Sequence, residues 1–297
     1  MLSILIPTYN YNITTLVAKI HEQITQLNIP FEICCYDDGS TNQTIISSNK
    51  SINKLTNTSY HILSKNMGRS AVRNLLAKDA KYKWLLFLDA DVIPKSTNFI
   101  SRYLDAITET SQVIYGGILY KEERPHQNNL LRWVYGNERE ALNAIERNKN
   151  KYLTFLTLNF LIKKSVFSKV SFNEDIPNLR HEDTLFSYNL KVENIKVEHI
   201  ENPAYHMGLE ESDHFFKKSL ESVDALYLFL NQGLIPKDYT KITRVFFKLK
   251  KFGLHYILAL VYKVFKGYFK RNLLSKKPSL FIFDLCRLSY LCSLYTR

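Results

Sequence analysis

The sequence predicts an α/β protein: a mostly parallel sheet flanked by helices, followed by a basic helical extension. Two observations carry that expectation. Over the first third, short apolar runs of strand length alternate with stretches whose apolar residues recur every three or four positions. Four of those runs end at once in polar clusters, Thr8-Tyr9-Asn10, Asp37–Ser40, Asn66–Arg69 and Asp89–Asp91. In parallel sheets ligands bind at the carboxyl ends of the strands, so four such clusters are expected on one rim.

The elements follow in order. Ser3–Pro7 is an apolar strand stopped by proline, and Leu16, Ile20, Ile24 and Leu27 mark the next helix. Phe31–Tyr36 is a second buried strand and Thr58–Leu63 a third. Arg69–Ala80 reads as a helix, with Ala71, Leu75 and Leu76 on one face, and Trp84–Leu88 as the fourth strand. Beyond Asp91 the pattern loosens. Val113–Tyr120 is a strand interrupted by Gly116-Gly117, and residues 128–150 are polar and helical. Phe155–Ile162 is apolar around a lone Asn159, Thr184–Lys191 is a helix, and Ile195–Ile200 suits an edge strand. No internal repeat is visible.

Charge divides the chain. Residues 1–238 hold 27 basic and 27 acidic residues, whereas residues 239–297 hold 13 basic residues against Asp284 alone, so the net charge of +12 sits in the last 59. The expected organisation is a catalytic body at 1–238 and a basic, aromatic-rich tail at 239–297. The opening MLSILIPTYN lacks a basic leader and is cut by Pro7, so no signal peptide is expected. Adjacent strand residues point to opposite faces, so Cys34 and Cys35 do not share a disulfide or a metal, and a reducing compartment fits.

Four constellations carry chemistry. Asp89-x-Asp91, on the turn leaving a strand, suits Mg²⁺ or Mn²⁺ completed by substrate phosphates; alone it reads equally as a solvated turn. Asp37-Asp38-Gly39-Ser40 offers a carboxylate to a base or ribose, or a capped turn. In Asn66-x-Gly68-Arg69-x3-Arg73-Asn74, two arginines one helical turn apart lie next to a helix N-terminus, as a diphosphate requires; surface ion pairing is the alternative. His181-Glu182-Asp183 at a helix start offers a general base, or acids that complement the helix dipole. His206 is a candidate metal ligand or a structural histidine, and Asn159 either contacts substrate or satisfies a buried turn.

In order and spacing these blocks resemble glycosyltransferase family 2: Ile6-Pro7-Thr8-Tyr9-Asn10, Asp37-Asp38-Gly39-Ser40, the Asn66–Asn74 block, Phe87-Leu88-Asp89-Ala90-Asp91, and later His181-Glu182-Asp183. The specific part covers about residues 2–95, a looser part reaches about 210, and the tail is outside it. The resemblance implies a GT-A fold, a Rossmann-like mixed sheet, and an inverting, metal-dependent transfer from a nucleotide-sugar, with UDP-sugar the family expectation. It places Pro7, Tyr9 and Asp38 on the nucleoside, Asn66 in the donor site, and Arg69 or Arg73 on the diphosphate. Asp89 falls nearer the ribose or sugar, Asp91 on Mg²⁺ or Mn²⁺ with His206 as the later histidine, and Asp183 as base supported by Glu182.

Two rival readings stand beside this one. A catalytically silent nucleotide-sugar-binding membrane module is opposed by the intact acids, and a nucleotidyltransferase by the lack of a glycine-rich loop after the first strand. In the tail, Lys241, Arg244, Lys248, Lys251 and His255 make a basic face, with Lys266 and Lys270 near it. Ile242, Val245, Leu249, Phe252, Tyr256, Leu260 and Val264 make an apolar one. A basic amphipathic helix on an anionic membrane surface is expected, with packing of the apolar stripe on the body as the alternative, and no nucleic acid. The acceptor is then a glycan or lipid-linked hydroxyl in surface polysaccharide synthesis, and the protein is expected to be cytoplasmic and peripheral at the inner face of the cell membrane.

Overall fold

The structure, a computed structural model, describes residues 1–175 and 180–296. Along the chain run β1 (Leu2–Thr8), α1 (Thr14–Thr25), β2 (Phe31–Asp37), α2 (Gln43–Lys50), β3 (Thr58–Ile62), α3 (Arg69–Asp79) and β4 (Trp84–Leu88). Then come β5 (Val92–Pro94), α4 (Phe99–Asp105), β6 (Val113–Tyr115), β7 (Ile118–Leu119), α5 (Leu130–Tyr135), α6 (Ala144–Asn148), β8 (Asn159–Lys163) and α7 (Lys164–Phe167). The remainder is α8 (Glu182–Val192), β9 (Val197–His199), β10 (Ala204–His206), α9 (Ser212–Asn231), α10 (Lys241–Lys251), α11 (His255–Leu273) and α12 (Leu280–Leu294).

The main sheet has the order β3-β2-β1-β4-β8-β6-β9, with β8 antiparallel to both its neighbours and the other pairs parallel. The expected mixed, mostly parallel α/β sheet is present, and β9 is its edge strand as expected. Alternation within the apolar strands sets the two cores. Ile4, Ile6, Leu86 and Leu88 face α1 and α4 on one side. Leu5, Leu85 and Phe87 face the side that holds Val72, Leu76 and Phe186. A sheet covered on both faces needs such continuously apolar strands. Phe87 is stacked on Phe160 and Phe167 at 4.9 and 5.2 Å between ring centres, so its truncation to Ala costs about 3–5 kcal/mol. Cys35 joins the first core and Cys34 packs on the second, and all four cysteines are free.

The expected strand Val113–Tyr120 is split between two sheets. β6 belongs to the main sheet, while β7 pairs with β10 in a small sheet of order β5-β10-β7. Gly117 turns the chain at φ +90°, and a methyl group there would meet the Arg147 guanidinium at 2.6 Å. Asn159 is fully buried, accepts from the Tyr103 hydroxyl at 2.7 Å, and donates to the Gly117 and Asn202 carbonyls. Of its two alternatives, the buried turn is the one observed. The 128–150 stretch is α5, a wide helical turn at Gly136–Glu140, and α6. Arg147 ends it by donating to the carbonyls of Leu142, Gly116 and Ile200.

Of the described residues, 1–120, 141–175 and 182–208 form one compact unit, and 121–140, 180–181 and 209–296 a second. In the second, Leu131, Phe216, Phe269, Leu273 and Phe283 share one apolar cluster, and Val223, Phe246, Leu291 and Cys292 another. The stripe that keeps helical spacing from Lys241 to Val264 is divided between α10 and α11. α10 stops in a Schellman turn, with Leu254 N–H on Leu249 O and Gly253 N–H on Lys250 O, and Gly253 at φ +72°. His255, expected on the basic face, is buried, its ring 4.1 Å from that of Tyr256. Among the described residues no helix is long and apolar enough to cross a membrane.

Candidate active site

The first unit gathers the sequence motifs at the carboxyl ends of β1, β2 and β4. β1 delivers half-buried Pro7 and exposed Tyr9. Asn10, at φ +48°, accepts from the backbone N–H groups of Thr41 and Asn42, which ties the first loop to the one after β2.

The adjacent acids at the end of β2 take different work. Asp37 is fully buried, accepts from Ser40 N–H at 2.7 Å and from the Tyr60 hydroxyl, and so shapes the turn. Asp38 accepts from Met67 N–H at 2.6 Å and Gly68 N–H at 3.0 Å. Burial pushes its carboxyl above the ordinary 3.8, while those two N–H groups act in the other direction. Asp38 therefore anchors the start of α3. Gly39, at φ +72°, lets the exposed Asn66 backbone pass; a methyl group there would lie 2.9 Å from Asn66 N.

The two arginines of α3 diverge. Arg73 is buried against the Phe172 ring at 5.3 Å. Its Nη2 lies 2.6 Å from Asp89 Oδ1, and its Nη1 3.8 Å from Glu182 Oε1. Arg69 has a side chain 56% exposed and reaches the same Glu182 oxygen at 3.2 Å. Burial would raise the Glu182 carboxyl, but the two guanidiniums outweigh it and hold it below the ordinary 4.5. Asp89 of the DxD, the arginine pair and Glu182, distant in sequence, thus form one charge cluster. Asp183 begins α8 beside Glu182, and its Oδ1 accepts from Thr184 N–H at 2.7 Å.

Asp91 and His206 come together through the small sheet. Val92 pairs with His206 across β5 and β10, and Met207 N–H donates to Asp91 O at 2.8 Å. This sets His206 Nε2 at 3.3 Å from Asp91 Oδ2. His206 Nδ1 is buried without a hydrogen-bond partner, and the ring lies 5.5 Å from Tyr120. Gly208 completes the cradle: a methyl group there would lie 2.2 Å from Asp91 Oδ2. A carboxylate and an imidazole suit a divalent cation that keeps open positions for phosphate oxygens. Among the described residues no group of three or more His, Cys, Asp or Glu is placed to enclose a metal. Asp91 and His206 are the residues that could hold a cation, with substrate oxygens as its further donors.

Sequence reasoning missed three contributors. Tyr11 lies in reach of Asp91: burial first, and that charge second, push its phenol upward. Gly208 shapes the Asp91 pocket, and Arg147 pins the turn between β6 and β7. Gly208 follows His206 in the sequence and so carried some signal. Arg147 carried none, because its partners are backbone carbonyls from distant segments.

The first unit thus carries acids, arginines and a carboxylate–imidazole pair at the carboxyl-end rim of a mixed α/β sheet. The model of the family described as "Glycosyl transferase family 2" matches residues 3–171, and the chain belongs to that family. A protein named as an uncharacterized glycosyltransferase, from Rickettsia felis, is 39% identical over 89 residues, 30% of this chain and 14% of that one. Chondroitin synthase from Pasteurella multocida is 32% identical over 120 residues, 39% of this chain and 12% of that one. The chain thus spans about a seventh of the curated relatives it matches. Among solved structures, the mannosyltransferase PcManGT from Pyrobaculum calidifontis, in complex with GDP-Man and Mn²⁺, aligns over 100% of this chain and 87% of that one, at TM-score 0.58 and 12% identity. That likeness shows the GT-A fold.

Proposed function

We propose that the chain is an inverting glycosyltransferase that moves a sugar from a nucleotide-sugar to a hydroxyl of a glycan or lipid-linked acceptor. The observation that carries this reading is the convergence at the sheet rim of Asp91 with His206, and of Asp89 with Arg73, Glu182 and Arg69. Residues 1–238 are assigned the chemistry, and the basic tail 239–297 a peripheral place on the cytoplasmic face of a membrane. The chondroitin synthase among the relatives supports a polysaccharide product.

Pro7, Tyr9 and Asn66 border the nucleoside side, with Asp38 fixing the loop that presents Asn66 and Arg69. Asp183 accepts the acceptor hydroxyl proton as that oxygen bonds to the anomeric carbon from the face opposite the nucleotide. The bond from that carbon to the diphosphate oxygen breaks, and its electron pair leaves with the diphosphate. Glu182, held ionised by the arginines, keeps α8 in place. Arg69, the more exposed of the two, faces the departing diphosphate, whereas Arg73 orients Asp89 toward the ribose or sugar. Bound Mg²⁺ or Mn²⁺, held by Asp91 and His206 with Asp89 alongside, would neutralise charge on the diphosphate.

The test is nucleotide release from a panel including UDP-sugars and GDP-mannose, with Mn²⁺, by the wild type and Asp183→Asn. Turnover of one donor by the wild type and its loss in the variant are expected. Unreduced transfer by purified Asp183→Asn removes the base assignment. No turnover of any donor favours the silent binding module.

A further inference from the structure

The expected membrane helix is two helices, and the second presents a row of exposed apolar side chains. α11 has two apolar faces. Its inward one carries Val261, Tyr262, Phe269 and Leu273 into the second unit's core. Its outward one carries Tyr256, Ile257, Leu260 and Val264, which recur every three or four residues and form one ridge, preceded by Phe252. These five side chains are 60–71% exposed. Beside the ridge stand Lys263 and Lys266, which have no carboxylate partner among the described residues. The acid of the tail, Asp284, is taken by Arg139 at 3.0 Å.

We infer that this ridge, with its flanking lysines, is the surface that docks on an anionic lipid bilayer, lying in the plane of the interface. The inference deepens the proposed function and rests on its peripheral-membrane part. Charge selects the occupant. Thirteen basic residues against one acid in residues 239–297 attract anionic headgroups. A second copy placed on the same face would set lysine against lysine. A nucleic acid would satisfy the lysines and leave the ridge in water. Among the described residues no helix is long and apolar enough to span, so the ridge enters only to the depth of the acyl boundary. Docking therefore belongs to the Phe252–Val264 ridge. The more basic α10 contributes mainly long-range attraction, since its Phe246 is buried and its exposed large apolar side chain is Val245, at 37% against 60–71% along the ridge.

The experiment is flotation of the full chain with phosphatidylcholine vesicles with and without phosphatidylglycerol, alongside nucleotide-sugar turnover. One variant is Ile257→Ser/Leu260→Ser/Val264→Ser, and the other Lys263→Glu/Lys266→Glu. All five positions are exposed, so both variants are expected to fold. The wild type should float only with anionic vesicles. The serine variant should lose at least about tenfold in partitioning, as expected from withdrawing three buried apolar side chains. The glutamate variant should lose binding most at low salt. Turnover on a soluble acceptor should be unchanged in both. A wild type that stays with the unbound fraction overturns the inference. So does a serine variant that floats like the wild type, or a wild-type dimer that the serine changes dissolve while neither protein binds vesicles. A wild type that floats but turns over no nucleotide-sugar keeps this surface and removes the catalytic reading; the converse removes the surface alone.

Discussion

The rim of the sheet and the outer face of α11 treat charge in opposite ways. At the rim Arg73 is buried, and it meets Asp89 at 2.6 Å and Glu182 at 3.8 Å, with Arg69 completing the cluster. On α11 Lys263 and Lys266 stand in solvent beside apolar side chains that are also in solvent. Burial makes an unpaired charge expensive, so the rim had to assemble its ions into a network. Exposure removes that requirement, and a surface that leaves both its charge and its apolar area uncovered suits an external partner. Charge composition therefore says little about a site until the partner of each charge is known.

The largest expected effect is at the rim. Asp91→Ala should lower kcat/KM by about a thousandfold or more, because it removes a carboxylate that serves charge developing in the transition state; steady-state nucleotide release measures it. Arg73→Met takes from Asp89 its 2.6 Å partner and leaves Glu182 with Arg69 alone; it should cost about 3 kcal/mol of unfolding free energy, the lower end for a broken buried pair because Asp89 is partly exposed. Urea unfolding reads that loss. An unchanged midpoint would mean that the network positions substrate without stabilising the fold.

Gly208→Ala sharpens the comparison. The added methyl would overlap Asp91 Oδ2, the far end of a side chain that can swing away. Stability should change by less than about 1 kcal/mol, as for a surface substitution, while Mn²⁺ affinity and turnover fall. Equal loss of both would show that Gly208 has a general structural role.

The smallest expected effect is on pH. Burial lowers the His199 imidazole from 6.5 to about 4, despite the Lys151 carbonyl at 2.8 Å. Between those values the unfolded chain binds a proton that the folded chain refuses, so stability falls as pH falls from 6.5 toward 4. Glu182, held below 4.5, adds stability that is present above its unfolded value and lost as pH falls through its folded one. Melting of His199→Gln should lose the upper part of this dependence and keep the lower. A wild-type profile flat from 6.5 to 4 counts against a buried neutral His199.

Much of the first unit was legible because its signals are local. A strand buried on both faces must be continuously apolar, and a chain leaving such a strand must place polar groups at its end. Ile4 to Pro7, Phe31 to Tyr36 and Trp84 to Leu88 therefore announced the sheet, and the acids after them announced the rim. The tail was legible in composition but not in course. Its apolar residues kept helical spacing across Gly253, although only glycine sits easily in the left-handed turn that stops α10 there.

The sequence by itself determined the alternation of elements, the family blocks and the segregation of positive charge into the last 59 residues. Tertiary structure decided which charges meet. It turned Arg73 inward to Asp89 and left Arg69 outward, and it gave Asp37 to a turn and Asp38 to the start of α3. It brought His206 to Asp91 through the pairing of β10 with β5, and it chose which apolar face of α11 is covered. Each of those outcomes depends on contacts between residues far apart in the chain. Residue type and spacing fix what a side chain can do; its neighbours in space fix which of those things it does.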